Sequence, residues 1–274
     1  MFRKPIFALS SAAIVALLLL PSPAMAQRGG AIGGGPATGK QWDVTLGAGM
    51  MLRPTFEGSD RYKISPLPLV NVTYGDFISL GSNGLTAYWR RGDLQIGGGL
   101  TYSGGRDDKD SSFFGSGDKR LKGMGDIDGA LGVRGFATYN LRPVVLSGSI
   151  TKFTGKKDQN DGLLVEFGAS VPVRVSEKLT ISPNVGVTWA DDNYMQTFFG
   201  VTSQQASRTR FARFNAGSGV KDVSVGVSAN YRFDQNWFAG ASATLKQLTG
   251  DAAKSGLSYS DSQGVFLLTA GYRF

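Results

Sequence analysis

Apolar residues recur at every second position along most of the chain from Trp42 onward. In Trp42–Met51, Trp42, Val44, Leu46, Ala48 and Met50 share one face, and Asp43, Thr45, Gly47 and Gly49 share the other. The alternation returns in 94–103, 127–140, 144–151, 165–174, 179–189, 223–233 and 237–246. It ends the chain in Val265–Phe274, where Phe266, Leu268, Ala270, Tyr272 and Phe274 lie together. A period of two marks strands with unlike faces. A soluble sandwich also alternates, with its polar face in water. Two features favour a membrane barrel instead. Aromatics gather at strand ends (Trp42, Tyr74, Trp89, Tyr102, Tyr139, Trp189, Trp237, Tyr272), as in interfacial girdles. The polar faces are rich in Gly, Ser and Thr, which suits a narrow lumen. Outer-membrane barrels commonly finish on such an aromatic strand. Tyr272 and Phe274 are therefore read as the C-terminal signal for the outer-membrane barrel assembly machinery.

The predicted fold is all-β: a transmembrane antiparallel up-and-down β-barrel of about 12 strands, with 10 as the alternative. The count depends on 77–90. A single strand there gives an odd number, whereas barrels of this class have an even one. Ser82-Asn83-Gly84 as a hairpin tip would split it, or Tyr194–Thr202 would join the wall. Very short connections are expected at Gly75-Asp76, Gly92-Asp93, Arg142-Pro143, Ser176-Glu177 and Asp234-Gln235. Long ones are expected at 53–61, 104–125, 154–161, 191–219 and 248–262. The short turns suit the periplasm and the long loops the cell exterior.

The N-terminus agrees with export. Arg3 and Lys4 precede an apolar stretch, Ile6–Leu20, and Ala24-Met25-Ala26 offers small residues to a signal peptidase. Residues 1–26 read as a signal peptide cleaved after Ala26. The apolar stretch is too short for a membrane anchor, which needs about 20 residues, and Pro21 and Pro23 end it. Residues 27–40 are a Gly-rich flexible lead-in, and 41–274 form the barrel domain. The predicted location is the outer membrane of a Gram-negative cell.

Composition narrows the chemistry. The chain has no His and no Cys. Imidazole-based triads, most zinc sites and thiolate chemistry are thereby excluded. Neither an enzyme nor a cofactor or metal site is predicted. Asp107, Asp108 and Asp110 share one loop, and Asp191 and Asp192 another, and neither group is read as catalytic. Without the leader, 27 of the 29 basic residues face 21 acidic ones, a net +6. The basic residues are spread through turns and lumen positions, so nucleic acid is not the expected partner. Outer-membrane lipid and lipopolysaccharide are. The run Arg208-Thr-Arg-Phe-Ala-Arg-Phe214 either folds over the barrel mouth or meets an anionic surface.

On a lipid-facing strand surface an Arg or Lys near the midplane costs about 2–4 kcal/mol. Asp43, Asp128, Arg134, Glu166, Arg174, Arg232, Lys246 and Arg273 are therefore assigned to the lumen. Paired, they would plug a small barrel; in cationic excess along an open bore, they would favour anions.

Four stretches carry a family resemblance. Phe56-Glu-Gly58-Ser59-Asp60 with Ser65-Pro66-Leu-Pro68 is the first. Gly105-Arg106-Asp107 with Leu121-Lys-Gly123-Met-Gly125-Asp126-Ile-Asp128 is the second. Tyr194–Val201, ending Phe198-Phe199-Gly200-Val201, is the third, and Leu248-Thr-Gly250-Asp251-Ala-Ala-Lys-Ser255 is the fourth. Together they resemble the MipA/OmpV family of MltA-interacting outer-membrane proteins over 41–274. The chain departs from it at Lys156–Gly162, where the family often has a Gly-His-Gly-like turn, and at Gly256, where it usually has Pro. The resemblance implies a non-enzymatic barrel scaffolding murein (peptidoglycan) synthesis and turnover, with a murein synthase and a lytic transglycosylase as partners. A narrow porin-like channel and a surface adhesin acting through 104–125 and 191–219 are the alternatives. The motif glycines suit tight loops. Asp60, Asp107, Asp126 and Asp251 would fold those loops by bonding to backbone.

Overall fold

The computed structural model describes residues 41–82, 84–155 and 160–274. The expected signal peptide and lead-in lie outside the described residues, as do Asn83 and 156–159. The strands are β1 (Trp42–Pro54), β2 (Tyr62–Tyr74), β3 (Ile78–Gly81), β4 (Gly84–Arg91), β5 (Leu94–Ser103), β6 (Ala130–Leu141) and β7 (Val144–Thr154). They continue as β8 (Gly162–Ser170), β9 (Val173–Arg174), β10 (Leu179–Ala190), β11 (Gly219–Arg232), β12 (Trp237–Leu248) and β13 (Ser262–Arg273). The two-residue β9 continues β8 along the same edge of β10, so the pieces make a 12-strand barrel. Every neighbouring pair is antiparallel. β13 pairs with β1 and β10 with β11, which closes the cylinder.

The period of two has a physical cause here. Leu268 (58 % exposed), Val225 and Met50 point away from the lumen on strands with no protein outside them. The intervening Thr45, Thr101, Thr151, Thr188, Thr244 and Thr269 are buried. Closure pairs backbone groups between strands, and a wall of this kind can stand in hydrocarbon. At the short-turn end, aromatic rings form a belt. Trp42 packs on Tyr74 (4.7 Å between centroids), Trp237 on Tyr272 (5.1 Å) and Tyr272 on Phe274 (4.8 Å).

The segment 77–90 is two strands, β3 and β4, which makes the strand number even. Tyr194–Thr202 does not join the wall. It holds most of helix α1 (Asp192–Phe199) and leads into α2 (Ser203–Arg208). Asp191 caps α1 by accepting the Tyr194 N–H at 2.9 Å. Thr202 and Gln205 form a capping box on α2. A third helix, α3 (Gly250–Lys254), lies in the last long loop.

Candidate functional site: a folded cap over a lumen cavity

The long loops fold together into a cap with its own apolar interior. One cluster joins Phe56, Leu121, Met124, Val201, Phe211 and Leu257. A second joins Ala190, Met195, Phe198, Phe199, Ala216, Leu248 and Ala252. Phe199, Val201 and Leu121 are fully buried. Burying one such side chain contributes roughly 1.5–3 kcal/mol. The run 208–214 is anchored to this interior by its aromatics, Phe211 in the first cluster and Phe214 packed on both, while Arg208, Arg210 and Arg213 stay exposed.

Polar contacts lock the loops to one another. Asp118 is buried and accepts the Arg120 amide (2.9 Å) and guanidinium (3.1 Å). The same guanidinium donates to Asp60 (2.6 Å) and Ser59 Oγ (3.0 Å) and stacks 4.0 Å from the Tyr259 ring. Arg120 holds the Asp60 carboxyl below the usual carboxylate range. Burial pushes Asp118 upward, but the Arg120 hydrogen bonds and charge outweigh it and the net shift is down. The Gly58 carbonyl accepts from the amides of Tyr259 (2.7 Å) and Ser260 (3.0 Å). Gly58 has φ +97°, and an added Cβ would lie 2.8 Å from Ser258 Oγ.

Beneath the cap sits a buried ionic latch. Lys221 on β11 bonds both Glu57 and Asp222, the latter at 2.7 Å. Tyr194 donates to Glu57 at 3.3 Å, and Thr188 to Asp222 at 3.2 Å. A register shift at Thr188/Trp189 interrupts the alternation, and the adjacent Lys221 and Asp222 are both buried. Arg106 donates to the Phe198 carbonyl at 2.6 Å. Burial pushes Arg106 down to about 10, against the pull of Glu57. Burial, then the Glu57 charge, pushes the Tyr194 phenol up. These groups border a cavity of about 230 Å³ between cap and barrel. Met51, Phe153, Leu164 and Val265 give it apolar surface, and Arg53, Arg106 and Lys246 give it cations.

The residues assigned to the lumen divide into two sets. Asp43 accepts from Arg273 at 2.6 Å, and Arg134 pairs with Glu166 at 3.4 Å. Lys246 lies 3.8 Å from Asp222. These five wall positions, Asp43, Arg134, Glu166, Lys246 and Arg273, are buried or largely so. The other three lie elsewhere. Asp128 is exposed in the loop before β6, because the strand starts only at Ala130. Arg174 and Arg232 are exposed at the short-turn rim, where water removes the penalty that drives charges inward.

The motif residues meet in the cap, with two exceptions. Pro66 and Pro68 stand on the outer face of β2. Asp126 accepts the Asp108 amide (2.8 Å) and Asp251 the Gly217 amide (2.9 Å), whereas Asp60 bonds to a side chain. Asp108 accepts the amides of Gly123 (3.0 Å) and Gly125 (3.2 Å). Asp107 takes part through its backbone, donating to the Ser116 carbonyl at 2.8 Å. Gly105 has φ +69°, and an added Cβ would lie 2.0 Å from the Ile127 oxygen. Arg106 crosses to the third motif, and Ser255 of the fourth donates to the Phe199 carbonyl. Sequence reasoning missed Asp118, Arg120, Glu57, Lys221 and Asp222. The adjacent charges Lys221-Asp222, at odds with the strand pattern, were the available signal. Among the described residues no acidic cluster is arranged to hold a metal ion.

A closed antiparallel wall with an apolar outer face, an aromatic belt and a capped lumen defines an outer-membrane β-barrel protein. Residues 46–274 match the family described as MltA-interacting protein MipA, and the chain belongs to that family. No curated protein matches it. Among solved structures it is similar to the CymD monoaromatic hydrocarbon channel, at 12% identity and TM-score 0.43, covering 85% of this chain and 88% of that one. The translocator domain of autotransporter NalP from Neisseria meningitidis shares 10% identity at TM-score 0.41, covering 87% and 90%. The KdgM porin in complex with disordered oligogalacturonate shares 9% at TM-score 0.37, covering 85% and 99%.

Proposed function

We propose that this protein is a closed, non-enzymatic barrel that serves as an outer-membrane platform for murein-synthesising and murein-cleaving enzymes. The cap is the observation that carries the closed state: two packed apolar clusters and the Arg120 network fill the long-loop mouth. The family description, MltA-interacting protein, supports the platform role. In this reading residues 1–26 are removed on export and the short turns face the periplasm. A photo-crosslinking residue at Asp93, Glu177 or Gln235 in living cells tests it. Recovery of a lytic transglycosylase or murein synthase is the expected result. Crosslinks to lipopolysaccharide alone would overturn it.

The cavity favours a second reading, a narrow diffusion channel. Planar-bilayer recording separates the two. A closed barrel gives no steady current, whereas salt-dependent unitary steps would establish the channel.

A further inference from the structure

The barrel wall is not of even height. β2 runs from Tyr62 to Tyr74, but its neighbour β3 pairs only with Val72, Thr73 and Tyr74. Beyond the short β3–β4 hairpin, β5 continues to Ser103, and the Arg106↔Ile127 bridge extends its pairing with the opposite chain further. Among the described residues, no strand pairs with residues 62–71 of β2 on this side. The wall has a notch two strands wide, open toward the long-loop end.

Backbone parity shows what the notch edge offers. The Thr55 amide donates to the Arg61 carbonyl and the Gly75 amide to the Gln41 carbonyl. With the unbroken register between them, odd-numbered residues of β2 bond to β1 and even-numbered ones point to the notch. Pro66 and Pro68 are even-numbered and have no N–H. A partner strand would miss two donors, so strand addition from another chain is disfavoured here.

One loop segment stands against the notch. Arg53 donates to the carbonyls of Phe114 (3.3 Å) and Gly115 (2.7 Å), and Lys63 to Ser111 Oγ (2.7 Å) and the Ser112 carbonyl (2.9 Å). Arg53 also donates to Ser65 Oγ at 3.2 Å, and Lys63 to the Gly115 carbonyl. These two cations are register partners on β1 and β2, and all of these acceptors are neutral oxygens. The same segment leaves Phe113 72% exposed and Phe114 43% exposed. Behind it lies the cavity, which Arg53 and Ser116 line together with Met51, Phe153 and Val265.

We propose that the notch is a lateral port, and that the cavity takes a single-chain anionic amphiphile, such as a fatty acid, from the bilayer. Its head group displaces the 111–115 carbonyls from Arg53 and Lys63. Its chain lies on Met51, Phe153 and Val265. A carboxylate gives these cations charge-assisted hydrogen bonds that a neutral carbonyl does not. The port is independent of the platform role and of current through the bore.

The chain has no Cys, so one thiol can report on the cavity. Val265→Cys protein in lipid vesicles is treated with dodecyl methanethiosulfonate or with the water-soluble sulfonatoethyl reagent. The dodecyl reagent is expected to react about tenfold faster or more, and laurate to slow it. Lys63→Gln is expected to weaken laurate protection by about tenfold. Met51→Cys repeats the measurement should the first variant misfold, and heat-modifiable gel mobility verifies each barrel. Faster reaction of the sulfonate would place the entrance in water and overturn the port. Laurate protection unchanged in Lys63→Gln would overturn the head-group site.

Discussion

Replacing Arg120 with Ala should open the cap and leave the barrel standing. Arg120 contacts Asp60, Asp118 and Ser59 and covers Tyr259. The Asp118 side chain is only 1% exposed, and without Arg120 it keeps Arg61 at 3.4 Å and the Thr55 hydroxyl at 3.3 Å. Stranding one partner of a buried ion pair costs about 3–5 kcal/mol. The Asp60 contact is half-exposed and adds about 0–1 kcal/mol. Because Arg61 retains part of the pairing, we expect about 3 kcal/mol, on the order of a hundredfold more frequent opening of the cap. Amide hydrogen exchange in lipid vesicles reads that opening directly. Residues 56–60, 118–124 and 257–260 should exchange faster together, with the amides of β6 and β7 unchanged. Arg120→Lys should recover only part, since an ammonium cannot fork between two carboxylates. Unchanged exchange in Arg120→Ala, or equal loss in β6 and β7, would refute the cap as a separately held unit.

Leu268→Arg should destabilise the barrel by about 2–4 kcal/mol in urea titrations in lipid vesicles, because Leu268 faces outward in mid-strand. Glu166→Gln removes the carboxylate charge beside the Arg134 guanidinium, which still donates to Ser149 Oγ at 2.9 Å, and should cost about 1–3 kcal/mol in the same titration. Gly105→Ala should loosen the cap by about 1–3 kcal/mol, read by exchange at Ile127, because alanine disfavours the positive φ. Acid should release the cap as well. Asp60 and Asp118 hold their protons less well folded than unfolded, so they stabilise the folded form when ionised. That contribution is complete above the unfolded value near pH 4 and is lost as pH falls through the lowered folded values. Exchange in 118–124 between pH 6 and pH 3, corrected for intrinsic rates, measures it.

The wall was legible because lipid outside and a narrow lumen inside impose one period on every strand. The inward assignment of Arg134 and Glu166 follows from the same constraint, and they pair. Arg174 and Arg232 share the register of inward positions Thr180 and Phe238, but they stand at the short-turn rim, where water reaches them. The 77–90 segment was ambiguous because its first strand, Ile78–Gly81, is only four residues long, too short for a period of two to stand out. The cap was hidden for a different reason. Arg120 finds Asp60 across about sixty positions of chain, and in sequence it is one more charge in the basic run Lys119-Arg120-Leu121-Lys122. The motif stretches marked which loops mattered. Only the folded chain brings Arg106 to Phe198 and Ser255 to Phe199.

A cysteine scan through Val265–Tyr272 tests the lipid-facing wall most directly, each thiol carrying an environment-sensitive fluorophore in vesicles of brominated lipid. A bilayer-spanning barrel predicts strong quenching at Phe266, Leu268 and Ala270 and weak quenching at Val265, Leu267, Thr269 and Gly271. Quenching that is uniform, or strongest at the second set, would contradict it.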